Sequence, residues 1–256
     1  MIKKQKIINL KLILTLVGLI PFFMCGGFAQ ERAKTYDAML KQYISQVEIK
    51  GYKLSGVDYQ AWNNDQRHKV AMAEITQTDF TKLNERELMA YWINAYNLLT
   101  IDLIIKNNEK ESIKNLGSLF SSPWKKHSWK IQGKEYTLDE IEHEILRPMG
   151  DPRIHMAIVC ASLSCPDLLN EAYNGEKLDE QLRSSTLEFL ENEGKGLKKA
   201  GNDLVISKIF SWFEKDFGGE GGVLKFIEQH TGIKGVIDDY FDYDWSLNDI
   251  ARVEEK

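Results

Sequence analysis

The run Leu88-Met89-Ala90-Tyr91-Trp92-Ile93-Asn94-Ala95-Tyr96-Asn97-Leu98-Leu99-Thr100-Ile101-Asp102-Leu103-Ile104-Ile105 constrains this chain more than any other stretch. Asn84, with Glu87 three residues later, carries the signature of a capping box, so a helix is expected to open there. Apolar side chains then occupy the whole helical wheel, and a helix without a polar face has to be buried. The fold is therefore expected to wrap around one central helix. Its polar members need partners, because an unpaired amide in a core costs about 1–3 kcal/mol. Asn94 and Asn97 are three apart and point to one side of that helix. Either they pin neighbouring backbone or they line a site.

The N-terminal end bounds the setting. Lys3, Lys4, Lys6 and Lys11 accompany an apolar stretch, residues 12–24, broken only by Thr15, Gly18 and Pro21. That is the shape of a signal peptide, and Gly27-Phe28-Ala29 places the expected cleavage after Ala29. A permanent membrane anchor needs about 20 apolar residues, more than this run offers. Cys25 would suit a lipid anchor, yet Phe22-Phe23-Met24 puts no small residue where such processing requires one. The expected destination is secreted or periplasmic, with residues 30–256 forming a single globular domain undivided by repeats or linkers. The segment to be removed holds four of the 33 basic residues and none of the 38 acidic ones. The acid excess that remains argues against a nucleic-acid partner.

Periodicity predicts an amphipathic helix over residues 31–47, with Tyr36, Met39, Tyr43 and Val47 on its apolar face, and a second over 62–75. Residues 128–137 alternate around Gln132-Gly133 and read as a β-hairpin. Thr137 and Glu140 make a second capping box leading into a helix over 138–146, stopped by Pro148, on which Asp139 and His143 share a face. The almost wholly apolar residues 153–160 read as a buried strand. Further on come a helix over 176–190, a hairpin over 197–207 turning at Gly201-Asn202, two short helices (208–217 and 223–230) and an extended tail, 236–247. The fold class expected is α+β: a mainly helical single domain with a small, largely antiparallel sheet.

Cys160 and Cys165 are the two cysteines outside the N-terminal stretch. In an oxidising compartment so close a pair reads as a small disulfide loop; the competing reading is a reactive thiol with a neighbour. Ser164-Cys165-Pro166 would open a helix with proline at its first position, which lowers a thiol's pKa. His155 is the histidine nearest to Cys160 in sequence, but on a regular strand an offset of five sends the two side chains to opposite faces. His143 or His127 is then the better base, with Asn94, Asn97 or Asp139 to orient it, a set suited to acyl transfer. His143 lies among Asp139, Glu140 and Glu144 without a His-Glu-x-x-His pattern, and Asp238, Asp239, Asp242 and Asp244 lack calcium-loop spacing. No metal or cofactor is expected.

Five ordered segments together resemble the family catalogued as domain of unknown function 547, in its bacterial exported form. They are Tyr91-Trp92-Ile93-Asn94-Ala95-Tyr96-Asn97; Leu138-Asp139-Glu140-Ile141-Glu142-His143-Glu144-Ile145-Leu146-Arg147; Asp151-Pro152-Arg153-Ile154-His155 running into Cys160-Ala161-Ser162 and Cys165-Pro166; Ile209-Phe210-Ser211-Trp212-Phe213 with Asp216-Phe217; and Tyr243-Asp244-Trp245-Ser246-Leu247-Asn248. The resemblance runs from about Val57 onward and implies a fold unit and an exported setting, but no activity. Plant members are similar at the first cysteine and carry serine at the second, which singles out Cys160.

Two functions of different classes follow. The first is an exported ligand-binding or scaffolding module for an unknown small-molecule, peptide or envelope ligand, with Asn97, Arg153, His155 and Cys165 among its binding residues. The second is a thiol-dependent hydrolase or acyltransferase with Cys160 as nucleophile, His143 as base and Asn94 as orienter. A Cys160 sulfur close to an imidazole in an open cleft would favour the second, and a sulfur bonded to Cys165 would count against it.

Overall fold

The computed structural model describes residues 33–253, so the expected signal peptide and Cys25 lie outside the described residues. Helices α1 (Lys34–Tyr43), α2 (Tyr59–Asn64) and α3 (Arg67–Thr76) precede the central helix α4 (Glu85–Lys106). Helix α1 packs on α3, and α2 and α3 pack on α4. The capping box forms as the sequence requires: Glu87 N–H donates to Asn84 Oδ1 at 3.0 Å and Asn84 N–H donates to Glu87 Oε2 at 3.0 Å. From Ala90 to Ile105 every residue of α4 is buried. Each fully buried Leu or Ile there contributes roughly 1.5–3 kcal/mol. A second, smaller apolar cluster around Phe210, Phe226 and Ile227 holds the C-terminal part together.

The strands form three separate small sheets rather than one. Strands β1 (Ile44–Ile49) and β2 (Tyr52–Val57) pair antiparallel, as do β3 (Ser128–Ile131) and β4 (Lys134–Thr137), and β5 (Leu197–Ala200) and β6 (Asp203–Ile206); β7 (Val236–Tyr240) adds parallel to β6. The two hairpins expected from the sequence are both present. Gln132 and Gly133 take φ of 51° and 85°, the left-handed pair that a two-residue hairpin turn demands. Helices α5 (Leu178–Glu191) and α6 (Glu220–Thr231) complete the α+β fold.

Several local expectations are corrected. The first helix stops at Tyr43, because Ile44, Val47 and Ile49 enter a strand that pairs with β2 through a turn at Lys50-Gly51. The second helical stretch is broken at Asp65, whose carboxylate accepts from the Arg67 backbone at 2.8 Å and so starts a new helix. The segment expected to be a strand at 153–160 instead begins as a 3-10 turn, Pro152–Met156, capped by Asp151. An apolar run of this length is equally compatible with a buried turn, and the proline with its preceding aspartate decides for the turn. Residues 166–177 form no helix, so neither sulfur gains from a helix N-terminus. The helix opened by Thr137 runs over Leu138–Glu140 and then widens into a π turn, Ile141–Leu146. π turns inside helices occur often at functional sites.

Candidate functional site

The loop bearing both cysteines is fastened from two sides. From beneath, Asn97 of α4 donates to the Ala157 carbonyl at 2.9 Å and accepts from the Val159 N–H at 2.9 Å, a two-way clamp on the backbone. From the side, the C-terminal stretch is laced to it: Leu163 N–H donates to Ser246 O at 2.9 Å, Asn248 N–H to Ala161 O at 3.1 Å, and Asp244 N–H to Ser164 Oγ at 2.8 Å. Between the cysteines Ala161 takes φ of 62°, a left-handed conformation that a residue with a Cβ adopts at a cost of about 1–3 kcal/mol. The lacing holds it there.

Above this loop opens a cleft of about 220 Å³. Tyr96, Trp124, Trp212, Phe213, Tyr243 and Trp245 form its walls, while Asp139, Glu142, His143 and His155 supply polar groups and the two cysteines line it as well. The rings support one another: Tyr243 and Trp245 are 4.5 Å apart between centroids, Trp212 and Tyr243 4.7 Å, and Trp124 and Trp245 5.8 Å. Such pairs add about 0.5–1.5 kcal/mol beyond their buried area.

The π turn delivers the acidic and basic groups. Glu142 is buried and accepts from the Tyr96 hydroxyl at 3.2 Å. Burial pushes its carboxyl up to about 7, with the Tyr96 hydrogen bond working in the opposite direction. His143 accepts at Nδ1 from Arg147 at 3.0 Å, since arginine has only donors, and its Nε2 lies 3.6 Å from Asp139. In the neutral ring Nε2 therefore carries the proton. Burial holds the His143 imidazole below its usual range. Neither of its nitrogens is then a free acceptor. His155 stacks on Phe213 with centroids 4.0 Å apart and binds Asp216 through Nε2 at 2.8 Å. Burial lowers it to about 4, so it is neutral at ordinary pH. Arg147 grips the same Asp216 with two nitrogens at 2.6 and 2.8 Å.

The sulfurs of Cys160 and Cys165 lie at bonding distance from each other. The Cys160 N–H donates to Cys165 Sγ at 3.0 Å, and the Tyr243 hydroxyl donates to the same sulfur at 3.2 Å. Ser162 Oγ donates to the Tyr243 oxygen at 3.3 Å. Cys165 is buried and Cys160 is partly exposed. Burial pushes the Tyr243 phenol well above its usual range, so it remains a donor.

Of the residues singled out from the sequence, Cys160, Cys165, Asp139, His143 and His155 converge on this cleft. Asn94 does not line it: its amide donates to Tyr173 O and accepts from Tyr173 N–H, both at 2.8 Å, pinning another loop. Asn97 acts from below the cysteine loop. Arg153 is engaged by Asp151 and Asp179 outside the cleft. His127 bonds Leu116 O at 3.0 Å. Glu142 and the tyrosine donors were missed. Asp139, Glu142 and His143 stand at i, i+3 and i+4, so the spacing that paired Asp139 with His143 also places Glu142 on that face. Glu140, by contrast, is spent on its capping box.

Residues 80–190 match the family model described as "Protein of unknown function, DUF547". No curated protein and no solved structure matches the chain.

Proposed function

We propose, from the match of residues 80–190 to the DUF547 family model, that the chain is a ligand-binding module acting through the aromatic cleft. The matched region supplies the floor, the π turn and both cysteines, while Trp212, Tyr243 and Trp245 come from further along the chain and complete the walls. The observation that carries the reading is the combination of stacked aromatic walls with a few converging polar groups. That is the usual make-up of a small-molecule site. The cleft's size suits a compact ligand with a flat or apolar body. Asp139 and Glu142 favour a cationic or hydrogen-bond-donating head on it, because a cation near Glu142 draws the carboxyl into its ionised form. The N-terminal stretch supports an exported setting for this module.

Free Cys160 as a nucleophile fits the site less well. Its sulfur is engaged with Cys165, and the candidate base His143 has its acceptor nitrogen occupied by Arg147.

The test is a titration of the oxidised protein with phenethylamine, followed by tryptophan fluorescence and calorimetry, beside an equal titration with phenylacetate. Saturable binding of the amine, weakened in Trp212→Ala and stronger at pH 8 than at pH 5, is expected. Equal binding of both compounds would remove the role given to the carboxylates; binding of neither would remove the cleft as a site for ligands of this class.

A further inference from the structure

Going beyond ligand binding, we propose that the Cys160–Cys165 bridge is a thiol–disulfide exchange site in which Cys160 takes the incoming thiol and Cys165 leaves. The geometry distinguishes the two sulfurs. Both cysteines line the cleft, but Cys160 is partly exposed whereas Cys165 is buried. An entering thiolate therefore meets Cys160 first.

Departure is also one-sided. A disulfide exchanges faster when the sulfur that leaves is stabilised as a thiolate. Cys165 Sγ already receives the Cys160 backbone N–H at 3.0 Å, while the Tyr243 hydroxyl lies within reach of both sulfurs, 3.2 Å from Cys165 and 3.3 Å from Cys160. Ser162 Oγ lies 3.3 Å from the Tyr243 oxygen and 3.2 Å from Cys160 Sγ, so the two hydroxyls together reach both sulfurs, and the fixed Cys160 N–H is the donor that distinguishes Cys165. Hydrogen bonds to a charged acceptor are about twice as strong as neutral ones. The donors therefore bind the departing thiolate more tightly than they bind the intact disulfide.

The step balances as follows. An incoming thiolate attacks Cys160; a bond forms between its sulfur and that of Cys160, the Cys160–Cys165 bond breaks, and its electron pair leaves on Cys165. A second thiolate attacks the mixed disulfide and departs joined to the first, releasing Cys160. Two external thiols are oxidised to one disulfide, the protein pair gains two electrons, and the two protons given up by the thiols end on Cys160 and Cys165. The co-reactant is a low-molecular-weight thiol. The ring walls and the cleft's size select an aromatic or apolar body, and Asp139 and Glu142 disfavour an anionic one.

The experiment exposes the oxidised protein to limiting benzyl mercaptan, quenches with acid, and locates the benzylthio group by peptide mass mapping. The expected adduct sits on Cys160, with Cys165 recovered as a free thiol. Tyr243→Phe is expected to slow the exchange roughly three- to tenfold at fixed pH, the loss of one hydrogen bond to the leaving sulfur. Cys165→Ser, given dibenzyl disulfide in place of the thiol, should take up one benzylthio group on Cys160 and release one equivalent of benzyl mercaptan. An adduct on Cys165, an even split between the sulfurs, two free thiols in the protein before treatment, or reaction only after unfolding would each overturn the proposal. The mapping uses the unaltered chain, so it stands even where a variant fails to fold.

Discussion

Two sets of buried polar groups flank the central helix, and they are used in opposite ways. On one side Asn94 and Asn97 each exchange a donor and an acceptor with a single stretch of backbone, so that each amide both gives and takes a hydrogen bond. On the other, Glu142 and His155 sit in the cleft with burial pulling their ionisation away from its ordinary range, Glu142 with a single donor on its carboxylate and His155 with a single carboxylate on its ring. Neutral polar groups bonded in both directions to backbone fix a fold; buried ionisable groups with a single partner keep a free energy that a ligand or a proton can change. The same helix thus supports a rigid floor and a responsive wall.

The comparison breaks first at Asn97. Asn97→Ala leaves a buried carbonyl and a buried N–H without partners directly under the cysteine loop, and its unfolding free energy is expected to fall by about 3–5 kcal/mol. Asn94→Ala, which strands both backbone groups of Tyr173, should cost a similar or slightly smaller amount. Urea unfolding followed by circular dichroism measures both. A loss below about 1 kcal/mol at either position would mean that the clamp is replaceable and that the two sides do not differ as described.

The cleft side is separated by pH. The folded carboxyl of Glu142 is raised to about 7, so its contribution to stability is complete below the unfolded value near 4.5 and is lost as pH rises to about 7. His155 is lowered to about 4, so its contribution is complete above 6.5 and is lost as pH falls toward about 4. Each shift corresponds to roughly 3 kcal/mol as an upper bound. Between pH 4.5 and 6.5 the two slopes oppose, and the parent protein should show a flat profile there. Glu142→Gln is expected to make stability climb with pH across that interval, and His155→Gln to make it decline. Unfolding free energies at pH 4.5, 5.5 and 6.5 read both signs at once, and a Glu142→Gln profile as flat as the parent's would show that Glu142 is not held neutral.

This division also explains what could be read from the residues alone. The central helix, its capping box, the second capping box and both hairpins were legible because each depends on neighbours within a few positions: Asn84 with Glu87, Thr137 with Glu140, Gln132 with Gly133. The pinning role of the asparagines was one of two readings that their spacing allowed. The 153–160 segment misled because its apolar character reports burial and not backbone shape; its shape is set by Asp151, Pro152 and the Asn97 clamp, the last arriving from 60 residues away. The cleft was half legible. Cys160, Cys165 and His143 stood out by chemistry, but Glu142 looked like one more acid on a solvated face until Tyr96 and the walls enclosed it. Trp212, Tyr243 and Trp245 become neighbours only because the C-terminal stretch is laced to the cysteine loop.

The smallest effect on stability should come from the group that matters most to the cleft's contents. Trp212 is 48% exposed, yet its ring lies 4.7 Å from Tyr243 and 5.8 Å from Trp245, centroid to centroid. A side chain that remains half in water has already forgone much of the free energy of burial, so Trp212→Ala should lower stability by only about 1 kcal/mol, most of it from the lost ring contacts. Phenethylamine binding should fall at least fivefold, because the cleft loses one of its stacking faces. A core tryptophan would behave in the reverse way: Trp62, fully buried against Tyr36 and Tyr43, should cost about 3–5 kcal/mol when truncated. Measuring unfolding and binding for the two variants side by side places each tryptophan on one axis or the other. If Trp212→Ala destabilises the chain as much as Trp62→Ala does, the exposed ring is part of the core and the cleft wall has no function of its own.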